Sequence, residues 1–107
     1  MSETDFKEDC VFCDLIKQQV ALYENNYMII IRDINPQARL HYLIISKKHF
    51  TDLNDIIKND IELLGKILKS IEFITPKLGI PSYRLMTNNG KAAGQQIMHL
   101  HFHLMCD

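Results

Sequence analysis

His99-Leu100-His101-Phe102-His103-Leu104 sets histidine and apolar residue in strict alternation near the end of the sequence. A strand turns successive side chains to opposite faces, so a strand here aligns three imidazoles on one face and Leu100, Phe102 and Leu104 on the other. Of all side chains, histidine ionises nearest neutrality, and its neutral ring nitrogen is a nucleophile. The row therefore suits proton transfer or attack at phosphorus. The outer two rings stand ~13 Å apart at Cα, too far to share one ion, although adjacent pairs are close enough. The bland alternative is a solvent-facing strand, but such faces are usually built from Thr, Ser, Lys or Glu.

Three further groups bear on chemistry. The stretch Asn88-Asn89-Gly90-Lys91-Ala92-Ala93-Gly94-Gln95-Gln96 leads into the histidine row. Its glycines permit a turn whose successive N–H groups form an anion nest beside the imidazoles. Asn88, Gln95 and Gln96 add neutral hydrogen-bonding groups for phosphate oxygens. On its own such a stretch is usually only a hairpin loop, and its place beside the histidines is what raises its value. Cys10-Val11-Phe12-Cys13 has the spacing of half a zinc site, for which His49 and His99 are candidate partners, or is simply a pair of reduced thiols. Asp33 ends the apolar run at Ile31-Arg32-Asp33-Ile34 and either accepts from sugar hydroxyls or makes an Asx turn before Pro36.

The elements that must position these groups read as α+β with a mainly antiparallel sheet, because strands and helices do not alternate. Residues 10–18 suggest a short helix, with Phe12, Leu15, Ile16 and Gln19 or Val20 on one side. Strands are expected over 27–31, 40–46, 83–87 and 97–105. One long amphipathic helix is expected on the stripe Ile57, Ile61, Leu64, Leu68 and Ile71, widened by Ile67 and Ile74. It starts at an Asn59/Glu62 capping box and ends near Pro76 and Gly79.

The 107 residues fit a single domain spanning 1–107, with 1–9 a flexible leader. Twelve basic against thirteen acidic residues make no electrostatic case for nucleic acid. No apolar run approaches a membrane span, and residues 1–6 are unlike a signal peptide. Three cysteines without an export signal point to the cytoplasm and to thiols or metal ligands rather than a disulfide framework.

Together these motifs resemble the histidine triad (HIT) family, from about Cys10 to Met105. The resemblance rests on the alternating row, on Phe12 within Cys-x-Phe-Cys, on the blocks 32–38 and 41–49, and on the loop from Asn88 to Gln95. It is nearest to the small histidine-triad nucleotide-binding proteins with nucleoside phosphoramidase activity. It implies a homodimer with sheets joined across the interface, and a purine nucleotide as substrate. It implies His101 as the nucleophile forming a nucleotidyl-histidine, with its other nitrogen oriented by the carbonyl at His99. His103 and the loop, including Asn88, Gly94, Gln95 and Gln96, would bind phosphate, with Asn88 near the leaving group and His41 in support. Phe12, Leu15, Ile16, Val20, Ile31 and Ile34 would wall the base, and Asp33 would hold the ribose. No cofactor is implied for catalysis. In bacterial-type members Cys10, Cys13, His49 and His99 match the ligands of a structural zinc. Gln96 departs from the serine or threonine common in the family, and an amide is no general acid. The same row would also serve a diadenosine polyphosphate hydrolase or a nucleotide sensor with little turnover.

Overall fold

A computed structural model describes residues 10–18 and 21–107. The expectations for residues 1–9, and for Gln19 and Val20, lie outside the described residues. Among the described residues, five strands form one antiparallel sheet in the order β1-β2-β3-β5-β4. They are β1 (Tyr23–Glu24), β2 (Met28–Arg32), β3 (Leu40–Ser46), β4 (Arg84–Met86) and β5 (His101–Cys106). Helices α1 (Val11–Gln18), α2 (Leu53–Asn59) and α3 (Ile61–Lys77) complete the fold. None of the described helices is long and apolar enough to cross a membrane.

Runs of β-branched residues place β2 and β3 inside the sheet, flanked by strands on both sides. Met28, Ile30, Tyr42, Ile44, Phe102 and Leu104 point to one face and pack against Ile56, Leu64, Ile67, Ile71 and Ile74 of α2 and α3. Ile29 and Ile45 point to the other and pack with Cys10 and the α1 residues Phe12, Cys13 and Ile16. This second, smaller layer leaves part of its sheet face open.

The expected long helix is two helices. Asp60 (φ −161°) ends α2 and starts α3, with its carboxylate accepting the Leu63 N–H at 3.2 Å. A short acidic side chain that satisfies a helix start competes with continued helical bonding, so the chain breaks there rather than at Asn59. Three members of the expected stripe are turned out: Ile57 and Ile61 beside the break are 44% and 57% exposed, and Leu68, flanking the buried stripe of α3, is 43% exposed. The buried stripe is Leu64, Ile67, Ile71 and Ile74. The two-residue strand β1 was not expected, since so short a pairing has no period to read.

The histidine strand also starts later than expected, at His101 rather than Ile97. Before it, the Leu100 N–H donates to the Phe50 carbonyl at 2.7 Å, so residues ahead of β5 follow the 46–50 segment instead of extending the ladder.

Candidate functional site

Register builds a grid on the open sheet face. His101 lies opposite Ile45, His103 opposite Leu43, and Met105 opposite His41. On the other side of β5, Met86 lies opposite His103 and Arg84 opposite Met105. Phe12 of α1 closes one end, edge-on to His101 with ring centroids 4.9 Å apart. The space above the grid is a cleft of about 790 Å³.

Hydrogen bonds fix which nitrogen of each ring carries its proton. The His101 Nδ1–H donates to the His99 carbonyl at 2.7 Å. Its Nε2 is thereby left as a lone pair, the form a nucleophile needs. His103 is set the opposite way by a chain of three groups. The Gln37 backbone N–H donates to His41 Nδ1 at 3.0 Å, which leaves the His41 proton on Nε2. That Nε2–H donates to His103 Nδ1 at 2.9 Å and lies 3.3 Å from Asp33 Oδ2. His103 consequently carries its own proton on Nε2. Two neighbouring imidazoles thus hold complementary forms, one an electron-pair donor and one a hydrogen-bond donor.

Charge supports the same assignment. Burial, above all, lowers the His101 pKa below the usual imidazole value, against the His99 carbonyl and Asp33, which raise it. Burial likewise lowers His103, helped by His101 and His41 and opposed by Asp33. Both rings are kept neutral near neutrality.

The third histidine of the row faces a different cluster. His99 is fully buried, and its Nε2–H donates to the Ser46 carbonyl at 2.7 Å, turning Nδ1 toward the thiols. That Nδ1 lies 3.2 Å from Cys10 Sγ, 3.5 Å from Cys13 Sγ and 3.1 Å from His49 Nδ1. Cys13 Sγ lies 3.4 Å from His49 Nδ1. A tetrahedron with zinc–sulfur and zinc–nitrogen bonds has corners roughly 3.3–3.8 Å apart, so the four donors fit that ion. Burial, most of all, pushes the His99 pKa down to about 4, which keeps the ring in its ligating, neutral form. Asp33, His41 and His103 are also close enough to share an ion. The Gln37 amide argues against it, because it holds a proton on the very His41 nitrogen that a metal would require.

The loop departs from expectation. A 3-10 turn at Lys91–Ala93 lies between Gly90 (φ +98°) and Gly94 (φ +95°), conformations that favour glycine. The amides of Ala93, Gly94 and Gln95 bond to carbonyls inside the loop, and the Gly90 N–H donates to Gln95 Oε1 at 2.8 Å. These four amides therefore form no anion nest. Gln95 is 4% exposed, and its Nε2 also donates to the Thr51 and Ile97 carbonyls. It braces the loop and does not line the cleft. Asn88, Gly94 and Gln96 do line it.

Of the expected base wall, Phe12, Leu15, Ile31 and Ile34 line the cleft, although Ile34 is 92% exposed. Ile16 is turned into the core beneath α1 instead. Asp33, His41, His101 and His103 all reach the cleft. Sequence reasoning passed over Gln37, whose contribution is a backbone amide, and Thr87, whose hydroxyl donates to the His101 carbonyl at 2.6 Å. It also passed over Arg84 and Met86. The signal for those two was the period-2 spacing of Arg84, Met86 and Asn88.

The family profile described as scavenger mRNA decapping enzyme C-term binding matches residues 9–107. Protein HitA of Neisseria gonorrhoeae is 34% identical over 102 residues, covering 92% of this chain and 95% of its own. A HIT-like protein of Chlamydia trachomatis is 40% identical over 99 residues, covering 92% and 84%. Among solved structures, a HIT family hydrolase from Clostridium thermocellum is similar with a TM-score of 0.86 at 41% identity, covering 95% of this chain and 93% of its own. A histidine triad protein from Clostridium difficile gives 0.87 at 29% identity, with coverage of 95% and 93%.

Proposed function

The chain belongs to the histidine triad family, and on that footing we propose that it is a purine nucleotide-binding hydrolase that cleaves nucleoside 5′-phosphoramidates at the α-phosphate. The observation that carries this reading is the pair of complementary imidazoles at His101 and His103. His101 Nε2 attacks the α-phosphorus while the P–N bond breaks and its electron pair leaves with the amine. The amine takes its proton from solvent, because the neutral His103 imidazole and the Gln96 amide are both far too weak as acids to give one up. Water then attacks phosphorus, the P–Nε2 bond breaks, and the proton that water sheds passes to solvent as the nucleoside monophosphate is released. Throughout, the His103 Nε2–H stays in place and stabilises charge on the phosphoryl oxygens.

Phe12, Leu15, Ile31 and Ile34 provide an apolar wall for the base, and Asp33 accepts from the ribose. Cys10, Cys13, His49 and His99 hold a structural zinc, which ties α1 to the sheet and offers no open position to substrate. Thiols used as metal ligands rather than in a disulfide agree with a reducing cytoplasm. The protein works as a homodimer. In support, Leu85 of edge strand β4 and Tyr83 just before it are exposed and do not line the cleft.

Mass spectrometry of protein quenched during turnover of an adenosine phosphoramidate tests the mechanism. A nucleotidyl adduct on His101, absent after His101→Ala together with all hydrolysis, is the expected result. Wild-type rates in His101→Ala overturn it. One observation favours a second reading, a nucleotide sensor with little turnover: the cleft carries Gln96 where the family commonly has a hydroxyl. Tight AMP binding without product after long incubation would decide for the sensor. A diadenosine polyphosphate hydrolase would instead cleave its substrate faster than the phosphoramidate.

A further inference from the structure

Strand β4 turns Arg84 and Met86 toward the cleft, opposite Met105 and His103, and Asn88 follows on the same side. Two residues along a strand span about 6.6 Å, so Arg84 stands one such step from the His103 row. An arginine side chain is long enough to cover that step, and Arg84 lines the cleft. Ile31 of the apolar wall stands on β2, across β3 and β5 from β4. A nucleotide with its base on that wall and its α-phosphorus at His101 directs whatever is bonded beyond the phosphorus toward β4.

Arg84 is open to a ligand. Its ion-pair partner is Asp107 Oδ2 at 3.9 Å, with both side chains largely exposed, an arrangement that contributes little in water. The cleft's own carboxylate, Asp33, lies against His41 instead. A guanidinium in this setting matches a carboxylate or phosphate through two parallel N–H bonds.

Resting on the phosphoramidase reading, we propose that Arg84 is a specificity-determining residue that selects substrates whose leaving group carries an anion, either a carboxylate or a further phosphate. Two ratios test it. The first is kcat/KM for AMP joined through nitrogen to an amino acid, over that for AMP joined to the matching decarboxylated amine. The second is the affinity for ADP over that for AMP, measured by calorimetry, which needs no turnover. Arg84→Gln lowers at least one ratio by roughly three- to tenfold, the range between an exposed ion pair and a charge-assisted hydrogen bond. Arg84→Lys retains part of it. A fall in the first ratio alone identifies a carboxylate, and a fall in the second alone a phosphate. If Arg84→Gln leaves both within twofold of wild type, whatever their size, the proposal is overturned. If no P–N substrate is cleaved at all, the phosphoramidase reading fails and the ADP ratio alone still decides the role of Arg84.

Discussion

Replacing His41 by leucine keeps most of the buried volume and removes one proton. In the wild type that proton lies 2.9 Å from His103 Nδ1 and 3.3 Å from Asp33 Oδ2. Without it, nothing requires His103 to keep its hydrogen on Nε2, and Asp33 favours a hydrogen on the Nδ1 side. The cleft then loses its donor for the developing phosphoryl charge in a large share of molecules. Removing one such donor from a preorganised site costs about 10²–10³ in kcat. His103 is half-buried and retains a residual population of the right form, so we expect a drop of roughly 10- to 100-fold, with KM changed much less. The Gln37 N–H also loses its acceptor, for a further stability loss of about 0.5–1.5 kcal/mol, since Gln37 is exposed and its amide can turn to water. The assays are steady-state hydrolysis of a fluorogenic adenosine phosphoramidate, urea unfolding, and nitrogen-15 shifts of the His103 ring. His41→Gln, whose amide reaches near the same point, recovers part of kcat. A wild-type His103 found with its proton on Nδ1, or a His41→Leu enzyme with undiminished kcat, would refute the reasoning.

Other outcomes follow from the same geometry. His103 is pushed below its ordinary value by burial, and protonating it puts a hydrogen on the Nδ1 that faces the His41 donor. The acid limb of kcat/KM therefore lies below pH 6.5, and Asp33→Asn, which removes a raising influence, moves it lower still. A limb at or above 6.5 contradicts this. Because the folded value lies below the unfolded one, the stability contribution of His103 is full above about pH 6.5 and is lost as pH falls toward the folded value. Elemental analysis should find one zinc per chain, lost in Cys13→Ala. Chelation should lower thermal stability by roughly 10 °C or more, from about 2.7 kcal/mol of linkage at a hundredfold excess over Kd. Gln95→Leu breaks the bonds to Gly90, Thr51 and Ile97, and should reduce stability by about 2–4 kcal/mol and raise KM. An unchanged KM would show that the loop does not shape the cleft. Asp60→Ala should cost about 1 kcal/mol in urea unfolding by uncapping α3.

What the sequence revealed depended on whether the physics left a mark on side chains. Strand β3 runs over the expected residues because Leu40 to Ser46 is a β-branched and aromatic run with no breaker. The facing of His101 and His103 follows from period-2 alternation. The four metal-fitting side chains were nameable in advance because thiols and imidazoles are few in this chain. By contrast, the break at Asp60 lies inside an unbroken apolar period, and only the competition between cap and helix reveals it. The amide of Gln37 acts through a group that every residue but proline has, so no residue type could announce it. The loop amides looked available because glycine permits an anion nest. That Gln95 would fold back and hold the loop closed depended on Thr51, a segment distant in sequence.

His99 serves two masters with different parts of itself: its ring faces the thiols, while its carbonyl orients the nucleophile. The carbonyl belongs to the main chain and survives any replacement of the side chain that keeps the local path. On the proposed reading, a relative that lacks the thiols, or has a packing residue in place of that imidazole, still keeps the next histidine in its attacking form. Metal binding and turnover, as proposed, are thus separable properties that meet at one position.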